Sequence, residues 1–296
     1  MPPRLLLVLA AVLFSTGGAA IKLNQLTSWQ VACLRSVIAA GALWLAMPGV
    51  RRRWTWQVVG LGAAYAVNLI LFVAATKLTT AANAIFLQST APVYLLFIGP
   101  LLLKERLRSS DLLLMAVMAL GMSLFFVNTE PAMATAPNPA LGNVLGAISG
   151  LAWAIVVAGL RWTGRQDKTG ADGLATVFAG NLIAFFVALA PALPFNQISM
   201  PDILAVFYLG TCQVALAYFC LTKGIRHVAA FEASVVMLVE PALNPVWTWL
   251  MLGERPGMLA SIGGAILLLA TATNAWWQNR DQDDARFKRP VRSSQP

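Results

Sequence analysis

The segment PALNPVWTWLMLGERP, at residues 241–256, repeats the pattern of PVYLLFIGPLLLKERL, at residues 92–107. In each segment an apolar stretch of helical length runs from a proline to a Glu-Arg pair thirteen residues later. The two segments start 149 positions apart, which is about half of the 296-residue chain. This spacing predicts that the chain contains the same module twice.

The composition predicts an integral membrane protein. Hydrophobic residues make up 58% of the chain and charged residues 11%, and a soluble protein of this size carries about twice that charged fraction. A membrane-spanning helix needs roughly 20 apolar residues. The sequence contains ten such stretches, so we expect an all-α membrane protein with ten transmembrane helices, at 5–22, 29–47, 56–76, 82–103, 110–128, 143–160, 172–192, 201–222, 230–252 and 257–277.

The basic residues predict the orientation of these spans. When the N-terminus is placed in the cytoplasm, Lys22, Lys77 and Arg255 fall in outer loops and Arg35 falls within a span, while every other Lys and Arg faces the cytoplasm. This bias is the positive-inside pattern and predicts that both termini are cytoplasmic. The net charge of +9 therefore reflects membrane topology, and no nucleic-acid partner is expected.

The connection NTEPAMATAPNPALG, at 128–142, contains no Lys or Arg and follows five predicted spans. Because five is odd, two five-helix repeats joined here would have inverted orientations, an architecture typical of secondary transporters. We expect a first repeat at 1–128 (helices 1–5), an extracytoplasmic linker at 129–142, a second repeat at 143–277 (helices 6–10) and a disordered cytoplasmic tail at 278–296.

Polar residues inside membrane spans are candidates for substrate contacts, because their burial is costly without a partner. Tyr65, Asn68 and Phe72 share one helix face by their spacing, and Gln88 aligns with Met237 under the repeat offset. The remaining candidates lie within other spans: Phe14, Trp153, Asn181, Gln213 and Tyr218. Each Asn or Gln equally fits an interhelical hydrogen bond, and core packing is the alternative for Phe14 and Trp153.

Two charged residues inside the spans have open roles. Glu240 precedes Pro241, whose ring removes a helical hydrogen bond, so Glu240 either couples proton movement to transport or holds the helix break in place. Arg35 either snorkels toward the headgroups or contacts a substrate carboxylate. Glu105 and Glu254 lie at helix C-termini, where the helix dipole disfavours an acid. Because an arginine follows each, we expect local ion pairs there.

Small residues predict one close helix contact. Gly142, Gly146 and Gly150 form two GxxxG steps at the start of the sixth span. Without side chains at these positions, a neighbouring backbone can approach closely. We therefore expect another helix to pack directly against this face.

The paired motifs resemble the EamA repeat of the drug/metabolite transporter superfamily. The resemblance rests on TAPVYLLFIGPLLLKERL (90–107) and VEPALNPVWTWLMLGERP (239–256), and it covers about residues 5–277. The first repeat has Ala91 where the second has Glu240. Within the superfamily the chain is most similar to the YddG-type exporters of aromatic and other neutral amino acids. The resemblance implies alternating access through a central cavity in the bacterial inner membrane, with an amino acid as substrate and lipids as surroundings.

Other functions fit the sequence less well. An enzyme is not expected, because the chain lacks HExxH, paired Asp and Ser/His/Asp motifs, and its single histidine cannot build a zinc site. No cofactor, metal or disulfide is expected, since the three cysteines have no CxxC spacing. The sequence contains no P-loop, so ATP-driven transport is not expected. A channel, an amphipathic-drug exporter and facilitated or proton-coupled flux remain alternatives, and the oligomeric state stays open.

Overall fold

The computed structural model describes residues 1–52, 54–98, 109–127, 131–164, 171–195, 198–224 and 236–287. These residues form helices, and in the described ranges the β-structure is limited to an isolated bridge between Met133 and Ala136. The predicted ion pair of Glu105 lies outside the described residues. The helices are α1 (Pro3–Ser15), α2 (Gly17–Leu23), α3 (Ser28–Ala46), α4 (Trp56–Leu78), α5 (Ala81–Gln88), α6 (Ala91–Ile98), α7 (Ser109–Ser123), α8 (Pro139–Gly164), α9 (Ala171–Ala192), α10 (Met200–Tyr208), a π-helix (Leu209–Leu216), α11 (Ala217–Gly224), α12 (Val239–Leu252) and α13 (Met258–Phe287), with a 3₁₀ turn at Pro48–Arg52.

The all-α membrane class is confirmed. Among the described residues, six helical stretches are long and apolar enough to span a bilayer, and Leu112–Ser123 and Met258–Thr273 are shorter apolar helices. The total of ten spans stays a prediction. The six long stretches are Pro3–Leu23, Ser28–Ala46, Trp56–Leu78, Pro139–Leu160, Asp172–Ala192 and Met200–Gly224.

The end of the chain differs from the sequence prediction. We expected disorder from residue 278, but α13 continues to Phe287, and residues 288–296 lie outside the described ranges. No Gly or Pro occurs between Gly264 and Pro290, so nothing in the sequence breaks the helix where its apolar part ends.

Helices from the two halves of the chain pack directly against each other. The most extensive contacts join α4 to α8 and α9, and α3 to α9. The predicted close contact at the GxxxG steps is confirmed. A Cβ atom at Gly142 would lie 2.6 Å from the Thr79 nitrogen, and one at Gly150 would lie 2.8 Å from the Leu87 carbonyl oxygen. Side chains at these positions would therefore push α8 away from α5 and from the end of α4.

We call the linker end of the bundle the end at which residues 131–138 lie, between α7 and α8. Glu254 closes this end from the second half of the chain. Gly253 has a positive φ of 65°, a conformation that glycine adopts without strain. This turn directs the Glu254 carboxylate to the first turn of α5, where its Oε1 accepts a hydrogen bond of 2.6 Å from the Ala81 nitrogen.

The expected ion pair between Glu254 and Arg255 is wrong. Glu254 Oε2 lies 2.6 Å from Lys22 Nζ, and the two side chains are 1% and 2% exposed. The Arg255 guanidinium instead lies 5.6 Å above the Trp249 ring. A helix dipole disfavours an acid at a helix C-terminus. Glu254 offsets this, because its carboxylate caps the N-terminus of another helix.

Lys22 also ties the linker to this end. Its Nζ donates to the Thr79 carbonyl oxygen at 2.8 Å and to the Thr135 carbonyl oxygen. Nearby, Lys77 Nζ donates to the Asn24 carbonyl oxygen at 2.7 Å. The ends of α2 and α4, the linker and the α12–α13 connection thus meet around one buried ion pair.

The helix contact at Gly150 gives a stability prediction. Gly150→Ala forces a methyl group against the Leu87 and Gln88 carbonyl oxygens, and such overpacking lowers the free energy of unfolding by about 1–3 kcal/mol. Gly60→Ala is the matched control, because nothing lies within 4 Å of a Cβ there. Thermal unfolding in detergent tests both variants. Equal melting temperatures for the two would contradict the close contact.

Candidate functional site

A cavity lies between helices of both halves of the chain. Its volume open to the centre of a water molecule is about 120 Å³, room for roughly four waters at ~30 Å³ each. In the part of the chain that the structure describes, its lining is Phe14, Arg35, Tyr65, Asn68, Leu69, Phe72, Ile85, Gln88, Ser89, Trp153, Gln213, Tyr218, Leu221, Met237 and Glu240.

The structure brings the candidate residues together with one exception. Every residue that the sequence analysis named as a substrate, proton or carboxylate candidate lines the cavity, except Asn181. Asn181 is fully buried, and its Nδ2 donates 2.8 Å to the Val177 carbonyl oxygen of its own helix. This contact uses the amide nitrogen within its own helix, and Asn181 lies outside the cavity lining; a substrate contact by Asn181 stays a prediction.

One face of α4 forms a wall of the cavity. Tyr65, Asn68 and Phe72 are buried on this face, as their spacing predicts. Gln88 of α5 donates 2.8 Å from its Nε2 to Asn68 Oδ1. The pair fixes the two amides against each other and leaves the Asn68 nitrogen and the Gln88 oxygen for other partners.

Arg35 is buried in this site without the partners that a buried cation needs. It is 6% exposed, and its Nε and Nη1 atoms make no hydrogen bond. Among the described residues, no carboxylate forms an ion pair with Arg35. The guanidinium therefore lines the cavity with unused donors and does not snorkel to the surface.

Aromatic rings surround the charged groups. The Tyr218 ring lies 5.0 Å from Phe14 and 5.8 Å from Tyr65 between centroids, both edge-to-face. Trp153 of α8 and Phe72 of α4 add further apolar surface. Such edge-to-face contacts hold the rings in a defined geometry, so the cavity has a largely preformed apolar wall.

The π-helix at Leu209–Leu216 places Gln213 in the cavity. Its wider turns occur frequently at functional sites. Gln213 is 5% exposed and its Oε1 has no hydrogen-bond partner. A Cβ at Gly17 would lie 2.8 Å from Gln213 Nε2, so the amide occupies space that the missing side chain of Gly17 leaves open.

Glu240 enters the cavity from a break in the helical path. The backbone turns at Leu238, and α12 begins at Val239. The Glu240 carboxylate has no charged or hydrogen-bonding partner among the described residues, although it interacts electrostatically with the Tyr218 hydroxyl. Within the described residues, the Glu240 carboxyl group is thus open to the cavity, and its role in coupling or in holding the break stays a prediction.

Sequence analysis did not find four lining residues: Leu69, Ile85, Ser89 and Leu221. The three aliphatic ones look like any lipid-facing or core residue of a membrane helix. Ser89 had one usable signal, since it follows the candidate Gln88 directly. Among the described residues, no group of three or more His, Cys, Asp or Glu could hold a metal, and the three cysteines are free.

A family model described as "EamA-like transporter family" matches residues 2–127 and 140–276. The chain belongs to this family. The EamA-family protein is 24% identical to an uncharacterized transporter of Clostridium kluyveri, over 75% of this chain and 72% of the other. It is 27% identical to an uncharacterized transporter of Archaeoglobus fulgidus, over 74% of this chain and 76% of the other.

Two further comparisons have narrower meaning. A stretch of 68 residues is 35% identical to the uncharacterized transporter YdfC of Bacillus subtilis. This stretch is 23% of the EamA-family chain and 22% of YdfC. A crystal structure of a protein superposes with a TM-score of 0.61 at 18% identity, over 94% of this chain and 98% of the other. The latter shows likeness of fold alone. The protein is thus a membrane transporter of the EamA-like family.

The amide pair in the cavity gives a second stability prediction. Gln88→Leu leaves the buried Asn68 Oδ1 without its donor, so the free energy of unfolding falls by about 1–3 kcal/mol. Replacing both residues, as in Gln88→Leu with Asn68→Leu, removes the unpaired group and restores part of that loss. Thermal unfolding of both single variants and the double variant tests the coupling. Strictly additive effects would show that the hydrogen bond contributes nothing.

Proposed function

We propose that this protein is a secondary transporter that exports neutral amino acids, aromatic ones among them, across the bacterial inner membrane. The observation that carries the proposal is the buried Arg35 guanidinium, whose Nε and Nη1 donors are unused inside an aromatic cavity. A planar guanidinium matches the geometry of a carboxylate. The surrounding rings of Phe14, Tyr65 and Tyr218 suit an apolar or aromatic side chain.

The proposed mechanism is alternating access between two inverted five-helix repeats, at 1–128 and 143–277, with both termini in the cytoplasm. Three features support it: the cavity is built by helices from both halves, the basic residues show the positive-inside bias, and the family model matches the chain in two parts. On this topology the linker end is extracytoplasmic. The linker end is filled by the Lys22–Glu254 pair and its hydrogen bonds, and the cavity lies away from it. On this topology the structure corresponds to a state closed to the outside.

An exporter of amphipathic drugs is the alternative. The aromatic lining favours it, but a buried guanidinium with free donors has no evident use with cationic or neutral drugs. A nucleotide sugar carries phosphates and fits this lining poorly. Among the lining residues that the structure describes, Arg35 is the only basic one. Amino acids therefore fit the lining best.

The function is tested by flux of radiolabelled phenylalanine and leucine in proteoliposomes, with and without a pH gradient. We expect saturable flux in the wild type. Arg35→Met should reduce flux about tenfold or more, because a hydrogen bond to a charged group contributes about 1.5–3 kcal/mol. Arg51→Met is the matched control, because it makes the same substitution at an exposed arginine outside the cavity lining. No saturable amino acid flux in the wild type would refute the proposal, and flux without a gradient would exclude obligatory proton coupling.

A further inference from the structure

Arg35 and Glu240 line the same cavity from different halves of the chain. They are the basic and the acidic residue of its lining in the part of the chain that the structure describes. Among the described residues, no ion pair joins the Arg35 guanidinium to the Glu240 carboxyl group. Two groups of opposite charge type thus face one cavity without pairing with each other.

A buried charge without a partner is unfavourable in a membrane interior. A ligand with one charge would satisfy one of these two residues and leave the other without a counter-charge in the cavity. A ligand with adjacent positive and negative groups satisfies both at once. The arrangement thus favours a zwitterion and disfavours simple cations and simple anions, which is specificity by unpaired charge.

We propose that Glu240 binds the α-ammonium group of the substrate while Arg35 binds its α-carboxylate. This assignment rests on the proposed amino acid transport and extends it, since it gives Glu240 a direct substrate contact. The first half of the chain then binds one end of the zwitterion and the second half binds the other. Occupancy of both contacts draws α3 and α12 toward a common ligand.

The test measures how well two analogues inhibit labelled phenylalanine flux. 2-Phenylethylamine lacks the carboxylate, and 3-phenylpropanoate lacks the ammonium group. In the wild type, both should inhibit at least about tenfold more weakly than phenylalanine, because each leaves one charge unpaired. In Glu240→Gln, the KM for phenylalanine should rise about tenfold, while inhibition by 3-phenylpropanoate stays equal or improves. Arg35→Met should show the reverse selectivity, with 2-phenylethylamine retained.

Glu240→Asp is the conservative control, and it should recover part of the phenylalanine affinity that Glu240→Gln loses. Size-exclusion profiles and thermal unfolding check that each variant folds. Two results would overturn the assignment while amino acid transport itself stood. One is an unchanged phenylalanine KM in Glu240→Gln, and the other is an equal loss of inhibition by the two analogues in that variant. Absence of wild-type flux for every amino acid would instead refute the proposed function, and the assignment with it.

A separate observation concerns the linker end. The Lys22–Glu254 ion pair is buried, and it joins α2 and the connection between α4 and α5 to the α12–α13 connection. It lies at the end of the bundle, beyond the cavity lining. Replacing a buried ion pair by apolar residues often leaves stability intact, so a charge pair at this place is not needed for packing alone.

We further infer that the Lys22–Glu254 pair is a gate that holds the linker end closed and separates when that end opens. Charged groups suit this task because water can stabilise each of them once they part, whereas apolar residues would resist exposure. Lys22→Gln with Glu254→Gln removes the ion pair but keeps polar side chains of similar size that water can still stabilise. The double variant should therefore shift the protein toward conformations open at the linker end.

Spin-label distance measurements test the gate in a background whose three cysteines are replaced by alanine. Labels at Trp29 and Met258 report on the linker end, and labels at Leu5 and Leu45 report on the opposite end; all four side chains are exposed. The Lys22→Gln and Glu254→Gln double variant should move the 29–258 distribution to longer distances. Folding is checked by thermal unfolding. A folded double variant with the wild-type 29–258 distribution would overturn the inference.

Discussion

The ion pair between Lys22 and Glu254 is the constraint around which one end of the molecule is organised. Both charges lie where water does not reach, so each must find its partner and further hydrogen bonds. Glu254 satisfies its second oxygen at the first turn of α5, and Lys22 satisfies its remaining donors at backbone oxygens of Thr79 and Thr135. The connections between helices meet there because these polar groups need one another.

Composition and periodicity predicted the membrane class and most of the cavity wall. Tyr65, Asn68 and Phe72 could be assigned to one face because a single regular helix carries all three. The repeat offset between Gln88 and Met237 placed two helices at the same cavity, and both residues line it. These residues could be placed at the cavity because the regular geometry of each helix fixes which side chains share a face, and their contact with substrate stays a prediction.

The failures have a common physical cause. The partner of Glu254 could not be found from its neighbours, because Gly253 reverses the chain and directs the carboxylate across the bundle to Lys22. Asn181 carries the same type of side chain as Asn68, yet it bonds its own helix. Whether an amide faces a cavity or its own backbone depends on helix rotation, and a single span does not specify that rotation.

The π-helix at Leu209–Leu216 has a consequence for how this site can evolve. A turn of this kind holds more residues than the 3.6 of an α-helix, so it changes the angular position of everything that follows. Tyr218 and Leu221 follow the π-helix, and its wider turns set the angular position at which they reach the cavity. Loss of one residue from the segment would rotate both away by roughly 100°. The chemistry of the wall can thus be altered by an insertion or deletion that leaves every ligand-contacting residue type unchanged.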